Sequence, residues 1–165
     1  MSALLSSLRF LVVFTLFIPT LTAHASAADV VGTVTAIQNQ AQIGGAAAAI
    51  GTPVRMNDRL STGAKARLQI TFKDKSELTL GENANVVVDR FVYSPQKSSA
   101  DVVLTATKGA LRFAGGGIEQ AHQKNIVDNT PGAALAVRGT HFWAGPINGK
   151  YGVLLLQGNV QVSGR

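Results

Sequence analysis

An aromatic pair and a histidine near the end of the chain have a spacing that predicts a binding surface. His141 and Trp143 alternate within a stretch of apolar and β-branched residues, so a strand would place both on one face. Tyr151 follows a short turn, on the returning strand of a predicted hairpin. Aromatic side chains are typical interface anchors. We therefore predict a binding surface of His141, Trp143 and Tyr151, with ordinary strand packing as the competing interpretation.

The residues of the chain do not form a recognisable catalytic set. Nucleophilic catalysis needs a base beside a nucleophile, and no Gly-x-Ser-x-Gly motif accompanies His122 or His141. Glycoside cleavage needs two carboxylates across a cleft. Most acidic residues instead fall in or near predicted turns, where Asp commonly serves as a turn residue: Asp58, Asp74, Glu77, Glu82 and Asp89. We predict that the protein is not an enzyme.

Metal and cofactor sites are not predicted either. A metal site needs three or four convergent ligands, and His122, His141 and Asp128 have an uninformative spacing. The glycine run at residues 115–117 lacks the strand–loop–helix setting and the lysine of a phosphate-binding loop. We predict that this run is a spacer, that no metal is bound, and that the protein needs no cofactor.

Arg138 is the charged residue with a predicted structural role. It lies between Val137 and Gly139 in an apolar strand, and a buried guanidinium needs a carboxylate or several carbonyl groups as partners. We predict that Arg138 pairs with Asp58 or Asp74 as an internal brace. Gly139 would allow a neighbouring strand to approach closely.

Short strands must position these side chains. Residues 135–144 and 151–162 are predicted to form a hairpin around a slightly extended loop in which Asn148-Gly149 accepts positive φ. Residues 67–72 show the clearest alternation, with Leu68, Ile70 and Phe72 facing inward. Turn signals recur about every ten residues, and helical periodicity is absent after the N-terminal apolar run. This pattern predicts an all-β sandwich or barrel.

Two turns carry specific predictions. Asn57 is a credible turn residue because asparagine tolerates the left-handed conformation. Lys75 would be strained if its φ were positive. We therefore expect the turn at Asp74-Lys75-Ser76 to adopt a type in which the φ of Lys75 is not positive.

The N-terminus has the order of regions found in a secretory signal peptide. A short segment with Arg9 precedes an apolar run of about a dozen residues, and small-residue sites follow at Ala25 and Ala27. An uncleaved anchor is the weaker alternative because the run is short for a ~30 Å hydrocarbon core. We predict a signal peptide at residues 1–25, with cleavage after Ala25 or Ala27, and one β domain at residues 29–165. No transmembrane span would remain after cleavage.

Composition limits the choice of partners. The formal net charge is +6, but the basic residues are scattered, and nucleic-acid binding would require a dense basic patch. The chain has no cysteine, so neither a disulfide framework nor a lipid-attachment cysteine is present. We predict no nucleic-acid partner and a fold that depends on its hydrophobic core, with mild attraction to anionic envelope polymers.

Two series of short motifs resemble the FecR domain family. The first comprises Val31-Gly-Thr-Val34, residues 57–63, Ala66-Arg67-Leu68, and Asp74-Lys-Ser76 with Leu78-Thr-Leu80. The second comprises Lys108-Gly109-Ala-Leu111, Thr130-Pro131, Val137-Arg138-Gly139-Thr140 with Phe142, and residues 157–162. Their order, with Arg-Gly-Thr-x-Phe late and a Gly-x-Val strand after it, is the specific part of the resemblance, which covers residues 29–162.

The resemblance implies an antiparallel, jelly-roll-like β-sandwich of the double-stranded β-helix type in the periplasm of a Gram-negative bacterium. The best-known members are anti-sigma regulators that pass an iron-siderophore signal inward. Only about nine residues precede the apolar run here, and the chain ends soon after Val162. We therefore expect a stand-alone exported version of the domain and do not carry sigma-factor regulation over.

The predicted function is that of a non-enzymatic binding, adaptor or signalling-sensor module, periplasmic or secreted. Its predicted partner is a periplasmic or envelope protein. The alternative is a β-sandwich module that binds glycan or peptidoglycan, and the small number of aromatic residues ranks it second.

Overall fold

The computed structural model describes residues 29–131 and 133–164, except for the side chains at 123–124, 132–140 and 164. This part consists of β-strands with two short 3₁₀ turns, so the predicted all-β class is confirmed, while the jelly-roll arrangement stays a prediction. The predicted signal peptide lies outside the described residues. The strands are β1 (Val30–Gln38), β2 (Ala41–Ile43), β3 (Ala46–Ala47), β4 (Pro53–Arg55), β5 (Arg59–Thr62), β6 (Arg67–Phe72), β7 (Glu77–Leu80), β8 (Asn85–Ser94), β9 (Ser99–Lys108), β10 (Leu111–Ala114), β11 (Gln123–Thr130), β12 (Ala133–Ile147) and β13 (Lys150–Gly164). The 3₁₀ turns are Pro95–Lys97 and Gly117–Gln120.

The strands form a continuous hydrogen-bonded path in the order β3-β2-β5-β8-β9-β11-β12-β10-β7-β6-β1-β4, and β13 pairs with β12 outside this path. β12 connects two parts of the path. Its first half, residues 133–137, pairs with β11, and its second half, residues 141–144, pairs with β10. β13 follows the other edge of β12 along its whole length.

One strand pair departs from the wholly antiparallel arrangement that was predicted. β11 runs parallel to β9, from the pair Gln123↔Ser99 to the pair Asn129↔Thr105. The chain between them leaves to form β10, which pairs with β7 and β12 elsewhere in the sheet. Parallel neighbours need a crossover of a dozen or more residues, and the segment containing β10 supplies it.

The predicted hairpin at the end of the chain is confirmed, but its loop is shorter than expected. β12 extends to Ile147 and β13 begins at Lys150, so only Asn148 and Gly149 separate the strands. Both have positive φ, 50° and 77°, as a two-residue hairpin turn of this hand requires. Gly145, Pro146 and the neighbouring residues pair in the ladder rather than forming a loop.

Alternating side chains build one hydrophobic core. The predicted inward residues Leu68, Ile70 and Phe72 are all buried, and Leu78 and Leu80 on β7 lie opposite them and are fully buried. Burial of such side chains is the main favourable term in folding, about 1.5–3 kcal/mol for each.

The two turn predictions had different outcomes. Asn57 has a φ of 67°, as predicted. The prediction for Lys75 was wrong: its φ is 72°, so a lysine occupies the left-handed conformation. The reason is tertiary, because the flanking residues Asp74 and Ser76 are both buried and hydrogen-bonded to each other, which holds the turn in place.

Candidate functional site

A row of outward-facing side chains crosses four neighbouring strands. Gln69 on β6 pairs with Thr79 on β7, Thr79 with Arg112 on β10, and Arg112 with Trp143 on β12. Their neighbours along each strand face the core, because successive side chains point to opposite faces of a sheet. With strands about 4.8 Å apart, the row spans about 14 Å of sheet surface.

This row is part of a groove of about 290 Å³, which we call the Trp143 groove. Its floor is low because Gly81 and Ala110, which lie beside the row, have little or no side chain. These two residues are close to each other, since a Cβ at Gly81 would lie 3.5 Å from the Cβ of Ala110. The groove is lined by Arg67, Gln69, Thr79, Gly81, Ala110, Leu111, Arg112 and Trp143.

The indole of Trp143 is held against Gly145. A Cβ at Gly145 would lie 2.7 Å from Trp143 Cζ2 and 2.8 Å from Cη2, and also 2.7 Å from Ala110 Cβ. No side chain could therefore occupy position 145 without moving the ring. The absence of a side chain at Gly145 lets the indole lie along its own strand beside Ala110.

Arg67 and Arg112 give the Trp143 groove its charge. Both side chains are exposed. Within residues 29–131 and 133–164, the ion pair found joins Arg90 and Asp101, at 2.7 Å, and involves neither groove arginine. Arg112 thus lies beside the half-exposed indole and Arg67 lies at the other end of the groove, and Gln69 and Thr79 add neutral hydrogen-bonding groups between the two guanidinium groups.

The structure brings together only part of the predicted surface. His141 and Trp143 lie two residues apart on the same face of β12, and both are half-buried. Tyr151, on β13, instead packs against the hydrophobic core together with Val153. Its hydroxyl oxygen is buried, and no described side chain or backbone group hydrogen-bonds to it. The binding role of this surface stays a prediction.

Asp128, which the sequence suggested only as a poor metal ligand, is a buried acid. It lies on β11 between the buried residues Ile126 and Thr130, is 1% exposed, and neither carboxylate oxygen has a hydrogen-bond partner among the described residues. Burial raises the pKa of Asp128 to about 7. Ile126 and Asp128 are two residues apart on a strand and therefore share a face. That spacing was the available signal that the Asp128 side chain faces inward.

Tyr151 is electrostatically coupled to this acid. Burial, and then the charge of Asp128, raise the pKa of the Tyr151 hydroxyl above its usual value. Asp128 lies on β11 and Tyr151 at the start of β13, and both strands pair with β12, from its two edges.

The Arg138 brace stays a prediction, because the side chains of Arg138 and Gly139 lie outside the described residues. The structure does show what the two candidate carboxylates bind. Asp58 Oδ2 accepts a hydrogen bond from the Arg55 amide at 2.8 Å. Asp74 accepts hydrogen bonds from Ser76 and Ile118.

Asp74 connects the β6–β7 turn to the glycine run. Its Oδ1 accepts bonds from the Ser76 amide at 3.0 Å and the Ser76 hydroxyl at 2.6 Å, and its Oδ2 accepts one from the Ile118 amide at 3.0 Å. The Gly117 amide donates to the Asp74 carbonyl at 2.6 Å. A Cβ at Gly116 would collide with the backbone of residues 74–76. The spacer prediction for residues 115–117 was therefore wrong, since these glycines pack tightly on the turn.

The described residues contain neither a metal-binding cluster nor a membrane-spanning helix. No group of three or more His, Cys, Asp or Glu side chains there is arranged to hold a metal ion. No helix within residues 29–131 and 133–164 has the length and apolar character needed to cross a membrane.

Comparison with known proteins gave one family match. The family model described as FecR protein matches residues 58–161, which is more than half of the chain. The searches of curated proteins and of solved structures found no match.

Proposed function

Because this chain belongs to the FecR family, we propose that it is a non-enzymatic binding module that acts as an adaptor or sensor in envelope signalling. FecR domains generally act in signalling and interact with proteins. The signal peptide predicted at residues 1–25 supports a periplasmic or secreted location in a Gram-negative bacterium.

The observation that carries this proposal is the unpaired edge of β13. This strand has fifteen residues and pairs with β12 alone in the part of the chain that the structure describes. Its other edge therefore presents a row of backbone donors and acceptors, which we call the open edge. Such an edge is a template for an added strand from another polypeptide.

The side chains of β13 favour such an addition. Leu154, Leu155 and Leu156 are 54%, 44% and 52% exposed. Natural edge strands are usually protected by charged residues, proline or bulges, yet residues 151–164 contain no charged residue and no proline. The register of β13 against β12 shifts between Leu155 and Asn159, where Gly158 has a φ of 92°, but the open edge is apolar and carries neither charge nor proline between residues 151 and 164.

The occupant we propose is an extended apolar segment of a different protein, flanked by acidic residues. Backbone hydrogen bonds would supply affinity, and the exposed leucines would supply specificity. A second copy of this chain is disfavoured because each copy is basic, with a net charge of +6 that becomes +5 when Arg9 is removed with the predicted signal peptide, whereas acidic flanks would be attracted.

Photocrosslinking tests this proposal. A photoreactive residue placed at Leu155, on the open edge, should capture a partner protein in intact cells, and the same residue at Ile50, which is 69% exposed outside the strands, should not. A peptide from the captured segment should then protect the β13 amides from hydrogen exchange. A Leu154→Lys/Leu156→Lys variant should lose that protection, and Ile50→Lys should keep it.

Three results would count against the proposal. Equal capture at positions 155 and 50 would mean that the partner does not bind preferentially at the open edge. A captured segment that leaves the β13 amides unprotected would mean binding elsewhere. Capture of a second copy, with a dimer in sedimentation, would make the open edge a self-association surface instead.

Glycan or peptidoglycan binding is the second candidate function, and the Trp143 groove favours it. The groove belongs to β6, β7, β10 and β12, whereas the open edge belongs to β13. The two functions therefore depend on different residues and can be tested separately.

A further inference from the structure

We propose that the Trp143 groove binds an anionic saccharide, with a sugar ring on the indole and the sugar's acidic group between Arg67 and Arg112. The inference names the ligand class of the second candidate function, and it does not depend on the open edge of β13.

The indole supplies the apolar platform. Trp143 is only half-buried, although a tryptophan has a large apolar surface that would be stabilised by full burial. Its ring is supported from below by Gly145 and from the side by Ala110, so its orientation is already set before a ligand arrives. A ring fixed in advance costs little conformational entropy when a flat ligand face packs on it.

The two arginines select an acidic ligand. Guanidinium groups bind carboxylates with paired hydrogen bonds, and Arg67 and Arg112 have no acidic partner among the described residues. Glu77, two residues from Thr79 on β7, is not part of the groove lining, and Glu82, which lines an adjoining hollow with Arg67, accepts a hydrogen bond from the Lys65 amide at 2.9 Å. A neutral sugar would leave both positive charges without a counterpart.

The neutral residues between them suit hydroxyl groups. Gln69 carries an amide that can both donate and accept, and Thr79 a hydroxyl that can do the same. Both lie in the row between β1 and Arg112, at strand spacing, along a surface about 14 Å long. A groove that combines hydrogen-bonding side chains with one aromatic platform is suited to a sugar chain, whose units have both hydroxyl groups and an apolar ring face.

Tetragalacturonate is the test ligand, since every unit has a sugar ring and a carboxylate. Trp143 is the single tryptophan of the chain, so its fluorescence reports the groove directly. We expect a blue shift of emission on titration, and calorimetry should give the same dissociation constant. Trp143→Ala and Arg112→Gln should each weaken calorimetric binding about tenfold, the equivalent of one lost stacking or charged hydrogen-bond contact.

The matched control is Arg59→Gln. Arg59 is an exposed arginine on β5, away from the groove, so this variant removes the same net charge and should change affinity less than about twofold. Circular dichroism and thermal unfolding of each variant establish that it is folded. A Gln69→Ala variant, which keeps both arginines and the tryptophan, tests the groove if Trp143→Ala fails to fold.

Three other probes decide the ligand class. Equal binding of neutral maltotetraose would overturn the requirement for an acid. Equal binding of inorganic phosphate would mean a general anion site, and equal binding of a tetraglutamate peptide would mean a site for acidic peptides. Absence of any response to tetragalacturonate, or equal weakening by Arg59→Gln, would also overturn the proposal. Selective, groove-dependent binding of the uronate over all of these probes would support it.

Discussion

Asp128 and Tyr151 lie on different strands, yet the charge of Asp128 contributes to raising the pKa of the Tyr151 hydroxyl. Within the described part of the chain both polar groups are buried without hydrogen-bond partners, and unpaired buried polar groups are costly. The pair therefore reduces stability when the acid is charged, in a β-domain that has no disulfides to compensate.

Replacing Asp128 should remove a pH dependence of stability. The pKa of this acid is about 7 in the fold and 3.8 ordinarily, so the folded state holds the proton more tightly. The contribution of Asp128 to stability is then greatest below about pH 4 and falls by about 4 kcal/mol as the pH rises to about 7. Asp128→Asn should abolish this fall and be the more stable form at pH 8. Urea unfolding at several pH values measures it.

The exposed Asp89 provides the control for that experiment. Asp89→Asn removes one carboxyl group from the surface and should leave the fall in stability between pH 4 and 7 in place. If Asp128→Asn showed the same pH dependence as the unmodified chain, the buried acid would not be its source.

Removing the Asp74 carboxylate should destabilise the protein strongly. It accepts three hydrogen bonds in a buried site, and Asp74→Ala leaves those donors unpaired, at a cost of about 4 kcal/mol. Asp58→Ala removes the bond to the Arg55 amide in a half-buried turn and should cost about 1 kcal/mol. Chemical unfolding compares the two variants, and equal costs would contradict this assignment.

Lys75→Gly should stabilise the protein, although it removes a side chain. Lys75 has a φ of 72°, a conformation that costs most residues about 1–2 kcal/mol. Glycine avoids this cost but loses more chain entropy, so a net gain of about 0.5–1 kcal/mol is expected in thermal unfolding. Lys73→Gly, in the same turn but without positive φ, should destabilise by a similar amount. A gain in both variants would mean that charge, not backbone conformation, is responsible.

Gly109→Ala should be far more damaging than Gly149→Ala. Both glycines have positive φ, 80° and 77°, so both substitutions cost about 1–2 kcal/mol in backbone strain. A Cβ at Gly109 would also lie 2.6 Å from the Cβ of Ala84, whereas nothing lies within 4 Å of one at Gly149. Overpacking should add about 1–3 kcal/mol to the Gly109 variant alone. Similar losses of stability in denaturant unfolding would contradict the close contact.

Local patterns in the sequence were sufficient for the local structure. The alternation of Leu68, Ile70 and Phe72 predicted a strand and its buried face correctly, because the side-chain period of a strand is fixed by its backbone. Asn148-Gly149 predicted the position of the hairpin turn for the same kind of reason, since few residues accept positive φ at both turn positions. Only the length of its loop was overestimated.

Lys75 and the glycines at 115–117 mark the limit of such patterns. Each looked unremarkable or unfavourable alone, and the carboxylate of Asp74 explains both, because it binds the turn on one side and the Ile118 amide on the other. Asp74 and Ile118 are 44 positions apart in the chain. A contact over that distance leaves no periodic signal in the sequence.

The sequence by itself determined that this is an all-β chain with a late hairpin, because alternation and turn residues act over a few positions. The tertiary structure alone decided which strands are neighbours: β10 lies between β7 and β12, and β11 runs parallel to β9. That choice places Arg112 beside Trp143 and encloses Asp128, since strand order is selected by burying all apolar faces at once. No single segment specifies that order.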